Sequence, residues 1–188
     1  MKLFVAGPEV FLPNGRELFA IKCELIREAG FVASCPYDPG VPDHLTGTDL
    51  AMAISANDER LIRESDIFLA NLTPFRGVSA DSGTVYELGF MCALERPVHG
   101  YSNVAAGFGQ RTVDLFKGQV VPKGEGMYDA PDGTLIEEFG MADNLMIDGG
   151  ILRRGGIFVC RDVPPDEVLS SLDVFKECLA LVAERHLR

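Results

Sequence analysis

Positive charge is scarce in the sequence relative to negative. Seventeen Lys and Arg stand against 28 Asp and Glu in 188 residues, a net charge of −11. Such a field repels phosphate backbones, which argues against nucleic acid and anionic membranes as partners and leaves a small, weakly charged ligand. Paired cysteines are missing too. The five present (Cys23, Cys35, Cys92, Cys160, Cys178) are odd in number, scattered, and contain no C-x-x-C. This excludes a disulfide framework and a zinc site, and predicts reduced thiols, mostly small core residues, in a cytoplasmic protein. The three histidines, His44, His99 and His186, share no metal-ligand spacing, so neither a metal nor a histidine base is expected. No stretch approaches the ~20 apolar residues that span a bilayer. The apolar run at the amino terminus is too short for a signal peptide. Internal repeats and low-complexity segments are likewise missing.

What is there is an ordinary globular composition, 47% hydrophobic and 24% charged, enough for one domain over residues 1–188. Lys2–Ala6 is a short apolar run broken by Gly7-Pro8, which predicts a buried strand. Leu18, Phe19, Ile21, Leu25 and Ile26 recur at helical spacing between Arg16 and Ala29, with Gly30 as the stop. Phe31–Ser34 reads as a second strand. Asp49 is the expected N-cap of a helix to about Glu64, with Leu50, Ile54, Leu61 and Ile62 inward. Ile67–Leu72 is a near-continuous apolar strand, Thr84–Leu94 a helix, Pro97–Tyr101 a strand. From Ser102 to Asp143 the pattern weakens, and loops with short helical pieces are expected. Asn144–Leu152 reads as a short helix, Ile157–Cys160 as a fifth strand, and Asp166–Leu187 as a terminal amphipathic helix. Strands alternating with helices predict a doubly wound parallel five-stranded sheet with helices on both faces. Its ligand crevice lies beyond the carboxyl ends of the strands, where Gly7–Phe11, Thr73–Glu87 and the residues after Tyr101 converge.

The segment Thr73–Gly89, TPFRGVSADSGTVYELG, carries the most chemistry. It puts Asp81 in a loop and Glu87 in the first turns of a helix, where the helix dipole favours an ionised carboxylate. Ser79, Ala80, Ser82, Gly83 and Thr84 are small enough to let a ligand approach the backbone. An ionised carboxylate in a concave site can attack an anomeric carbon, while a second holds a sugar hydroxyl. From the residues alone, these acids are more simply read as ordinary loop and helix-start caps.

The run from Ala70 to Phe90, with Phe4-Val-Ala-Gly-Pro-Glu-Val-Phe11 and Asn144-Leu-Met-Ile147, strongly resembles the nucleoside 2-deoxyribosyltransferases. The resemblance implies a flavodoxin-like fold, no cofactor, and deoxynucleosides and free nucleobases as small-molecule partners in nucleotide salvage. It implies Glu87 as the nucleophile of a covalent deoxyribosyl intermediate, Asp81 on the 5'-hydroxyl, and Asp58 facing the base as proton donor. Gly7, Pro8, Phe11, Arg76, Gly77, Ser79, Asn144 and Met146 would line the substrate. Asn144 resembles a residue lent by a neighbouring subunit, which implies a homo-oligomer. The residues themselves also allow Asn144 to be a helix cap, Asp58 a solvated helix acid, Arg76 a partner of surface acids, and Tyr86 a packing residue. Phe4 departs from the family pattern. Several members have tyrosine there; either Tyr101, another hydroxyl or water replaces its hydroxyl, or Glu87 is less tightly oriented.

Two other functions fit the same features. A deoxynucleoside 5'-monophosphate hydrolase would use the same glutamate with water as acceptor, but tends to place serine where this chain has Asp81. Two like charges at hydrogen-bonding distance cost on the order of 1 kcal/mol even in water, so Asp81 favours a free 5'-hydroxyl. A nucleotide-binding module without turnover is compatible with the fold, but Asp81 and Glu87 at the catalytic spacing argue against it.

Overall fold

Alternation of short apolar runs with amphipathic segments produces the expected α/β order. The computed structural model describes residues 1–187. Its elements are β1 (Lys2–Ala6), α1 (Gly15–Glu28), β2 (Val32–Ser34), α2 (Gly47–Glu64), β3 (Ile67–Asn71), α3 (Ser82–Ala93), β4 (Val98–Ser102) and α4 (Phe108–Leu115). They continue with β5 (Val121–Gly124), β6 (Met127–Asp129), β7 (Leu135–Glu137), α5 (Leu145–Leu152), β8 (Phe158–Cys160) and α6 (Asp173–Leu187). Five strands form one parallel sheet in the order β2-β1-β3-β4-β8. The chain reverses direction across the sheet between β1 and β3, so the crevice at their carboxyl ends is the natural ligand site.

Residue alternation along the strands divides the core in two. Leu3, Val5, Ile67 and Leu69 pack with Phe19 and Ile26 of α1 and Phe175 and Val182 of α6. Phe4, Ala6, Phe68 and Ala70 pack on the other face with Leu61 and Ile62 of α2, Leu88 and Met91 of α3, and Ile147 and Ile151 of α5. Both faces are covered, which is why β3 is buried throughout and reads as an unbroken apolar run. Cys23, Cys35 and Cys178 are buried and unbridged within this core. Gly30 takes a positive φ of 99° after the last turn of α1, the backbone conformation that ends a helix most cheaply in glycine.

Four expectations need correction. α2 starts at Gly47 with Thr46 at the N-cap, and Asp49 sits inside its first turn, where an acid still meets the positive end of the dipole. Of the apolar residues expected inward on α2, Leu61 and Ile62 are buried, Leu50 is half-buried and Ile54 is 43% exposed. An 18-residue helix is about 27 Å long, whereas a five-residue strand covers only about 17 Å, so the helix overhangs the sheet. The terminal helix begins only at Asp173, after a single tight turn at Pro165–Glu167. The carbonyls of Val168 and Ser171 accept from the Asn103 side chain instead of from a helical amide. Finally, the weakly patterned stretch contains α4 and a separate antiparallel sheet, β5-β6-β7. Its strands are too short for alternation to show, but Gly-Glu-Gly at 124–126 and Pro-Asp-Gly at 131–133 are hairpin signals that mark both turns.

Candidate active site

Three carboxylates from two helices meet at the carboxyl end of the sheet. α3 starts directly after the loop that leaves β3, because Asp81 caps it: Oδ2 accepts from the Thr84 backbone amide at 3.0 Å and from Thr84 Oγ1 at 3.2 Å. Asp81 Oδ1 is left for another partner. Glu87 lies in the second turn of α3, and Asp58 comes from α2, which packs against α3.

The electrostatics reverse one sequence-based expectation. The helix dipole was expected to favour ionised Glu87, yet its pKa is raised to about 8. Burial is the main cause, and the charges of Asp58 and Asp81 add to it. Desolvation and two like charges outweigh the half-charge of a helix end. Asp58 is raised to about 6 by burial, and its Oδ1 is a buried acceptor with no hydrogen-bond partner. An unpaired buried acceptor beside a half-buried glutamate is costly without a ligand, and such pairs of perturbed carboxylates mark functional sites.

The first loop packs closely against the end of β3. Gly7 has to be glycine, since a Cβ there would collide with Glu9 Oε2 and with Asn71 Cβ. Buried Glu9 holds the turn at Pro8–Phe11 against the sheet. Its Oε1 accepts from Lys22 Nζ, from Asn71 Nδ2 at 2.8 Å and from Tyr101 Oη at 3.0 Å. Tyr101 is therefore engaged with Glu9 and does not supply the hydroxyl that Phe4 lacks; Phe4 itself is fully buried against Phe68. Phe11 is 51% exposed and stacks on Phe75 with ring centroids 5.2 Å apart and planes 11° apart. The Arg76 guanidinium lies 4.8 Å from the Phe11 ring and 4.6 Å from the Phe75 ring. Arg76 thus pairs with aromatic faces rather than surface acids. Gly77 is exposed, with open space where a side chain would stand.

Ser79 Oγ donates its proton to Asp143, which leaves the hydroxyl able only to accept from a ligand. Asn144 caps α5 by accepting from the Met146 amide at 3.0 Å, and Met146 is 66% exposed. Tyr86, expected to pack, is exposed and donates to Glu59 Oε1 at 2.7 Å. His99 Nε2 meets His186 Nε2 at 3.0 Å near the amino end of β4, opposite the site. Among the described residues no cluster of His, Cys, Asp or Glu could hold a metal ion, and no helix is long and apolar enough to cross a membrane. Sequence reasoning missed Phe75, Glu9, Arg111 and Asp143. An aromatic directly beside Arg76 was the available signal for Phe75. For the others only three-dimensional contacts reveal the role.

Comparison with known proteins identifies the family and the fold. The sequence model of the family described as nucleoside 2-deoxyribosyltransferase matches residues 3–146. An uncharacterized protein of Schizosaccharomyces pombe is 28% identical over 195 residues, covering 98% of this chain and 91% of its own. Among solved structures, a 2-deoxyribosyltransferase from Leishmania mexicana superposes with a TM-score of 0.65 at 25% identity, covering 98% of each chain. A conserved protein from Enterococcus faecalis shares the fold, with a TM-score of 0.57 at 20% identity over 97% of this chain and 98% of its own.

Proposed function

The chain belongs to the nucleoside 2-deoxyribosyltransferase family, and we propose that it works through a covalent ester on Glu87, with 2'-deoxynucleosides as donors and free nucleobases as acceptors. The convergence of Glu87, Asp58 and Asp81 is the observation that carries this reading. In the first step a Glu87 carboxylate oxygen bonds to the anomeric carbon. The electrons of the glycosidic C–N bond leave with the base nitrogen, and Asp58 supplies the proton that makes the base a neutral leaving group. In the second step a nitrogen of the incoming base attacks the same carbon. The ester C–O bond breaks, Glu87 recovers its charge, and the proton displaced from the incoming base returns to Asp58. Two inversions restore the starting configuration. Asp81 Oδ1, free of the capping interaction, is the acceptor for the sugar 5'-hydroxyl. Phe11 and Phe75, with Arg76 across them, are the platform for the base. No cofactor takes part in either step.

Incubating the purified protein with 2'-deoxyinosine, with and without adenine, tests this by chromatography. Formation of 2'-deoxyadenosine is expected. Hypoxanthine without a new nucleoside would make water the acceptor and the protein a hydrolase, and neither product would sink the reading.

The exposed apolar residues Met52, Ile54, Tyr86, Leu145 and Met146 all lie on helices of one sheet face, α2, α3 and α5. They support an oligomer in which a second copy covers this face and Asn144 completes the neighbour's sugar site. Sedimentation at assay concentration should give more than one subunit; an active monomer would remove this arrangement.

A further inference from the structure

The segment between β4 and α5 contributes one arginine with a mostly covered side chain, Arg111 on α4, that has no part in the proposed mechanism. Its guanidinium reaches four acceptors on three loops at once. Nε donates to the Val78 carbonyl at 2.8 Å, Nη1 to the carbonyls of Ala106 and, at 2.9 Å, Ala142, and Nη2 to Asp143 Oδ2 at 3.3 Å. Asp143 is fully buried and saturated from the other side. Oδ1 accepts from Ser79 Oγ and from the Asn144 amide at 2.7 Å, and Oδ2 from the Ala80 amide at 3.0 Å. Asp148 of α5 closes the knot by accepting from the amides of Ala142 and Asp143 at 3.0 and 2.8 Å.

None of these loops is held by a sheet ladder where the knot forms, and Phe75–Ser79 is otherwise a single turn closed by one backbone bond. The run Val78–Ala80 leads directly into Asp81, and Asp143 directly precedes Asn144. We propose that Arg111 and Asp143 are positioning residues for the sugar subsites, locking the loop that carries this subunit's Asp81 to the turn that presents Asn144 to the neighbour. A planar five-donor guanidinium can serve three carbonyls and a carboxylate together, which a lysine cannot. Asp143, as an acceptor-only group, suits the two amides and one hydroxyl that point at it. Ser79 then acts through Asp143 and donates nothing to the substrate. A displacement of even 1 Å in such a subsite is enough to cost two orders of magnitude in rate.

This inference rests on Asp81 holding the 5'-hydroxyl, and the test separates the two. Wild type, Ser79→Ala, Arg111→Lys and Asp143→Asn are assayed for transfer to adenine from 2'-deoxyinosine and from 2',5'-dideoxyinosine. Wild type should favour the 5'-hydroxyl substrate in kcat/KM by roughly tenfold or more. In Arg111→Lys and Asp143→Asn this preference should collapse by about tenfold, because the lost contact is the one the dideoxy substrate never makes. Ser79→Ala removes one hydroxyl from a half-buried loop, so it is the variant least able to unfold the chain, and should reduce the preference severalfold. Equal losses on both substrates, or an unchanged preference in Ser79→Ala and in whichever other variants fold, would overturn the proposal. A wild type without preference for the 5'-hydroxyl would overturn the Asp81 reading itself, and this inference with it.

Discussion

Glu87→Gln is expected to lose transfer activity by at least about 10³-fold and at the same time to make the protein more stable at alkaline pH. The first effect follows from the role proposed for Glu87: an amide cannot form the sugar ester. The second follows from the same environment. The folded-state pKa of about 8 lies above the ordinary 4.5, so between those values the native state holds a proton that the unfolded chain has released. Native stability is therefore full below pH 4.5 and declines as pH rises through 8. Glutamine removes that decline. The full shift corresponds to roughly 5 kcal/mol, and with Glu87 only half-buried and its neighbours sharing the charge, about 2–3 kcal/mol is the expected gain. Thermal melts at pH 5 and pH 8.5 should show the variant and wild type nearly matched at the lower pH and separated at the higher. A variant that retains a tenth of wild-type turnover would eliminate Glu87 as nucleophile; a difference that does not grow with pH would eliminate the buried-charge argument alone.

The second large effect is in the pH profile. The proposed chemistry needs one proton on the Glu87–Asp58 pair: a carboxylate to attack and an acid to protonate the leaving base. With Asp58 near 6 and Glu87 near 8, the pair is doubly protonated below about 6 and fully ionised above about 8. The plot of kcat/KM against pH, which reports the free enzyme, should be a bell with its limbs near those values, belonging to the pair rather than to either residue. Asp58→Asn should lower the plateau by about 10²–10⁴-fold and remove the alkaline limb. Its acid limb should fall between 4.5 and 8, because burial still opposes ionisation of Glu87 while one of the two repelling charges is gone. An alkaline limb that persists near pH 8 in this variant would show that Asp58 is not the acid.

The parts of the protein that are local in the chain were legible in its sequence. β1 and β3 announce themselves as unbroken apolar runs because helices cover both sheet faces, and α1 by its helical spacing and Gly30 stop. Asp81 and Glu87 stand together on one short loop-and-helix segment, so their pairing needed no tertiary information. The family resemblance rested on that segment together with Phe4–Phe11 and Asn144–Ile147, all of them read directly from the chain.

Effects that sum over distant groups were decided only by the tertiary structure. The dipole of α3 argues for an ionised Glu87, but burial and the approach of Asp58 from α2 set the opposite direction, and neither is encoded near residue 87. Tyr101 was free to serve the nucleophile until the fold placed Glu9 within reach of its hydroxyl. Strands β5, β6 and β7 are three or four residues long, too short to show a period, and pairing across their turns is what makes them strands. Arg111 reads as an ordinary helix cation, and Asp143 as one acid among many. They become a centre because folding withdraws both from water, and a mostly covered guanidinium and a buried carboxylate must then find their hydrogen bonds among whatever loops the topology brings to them.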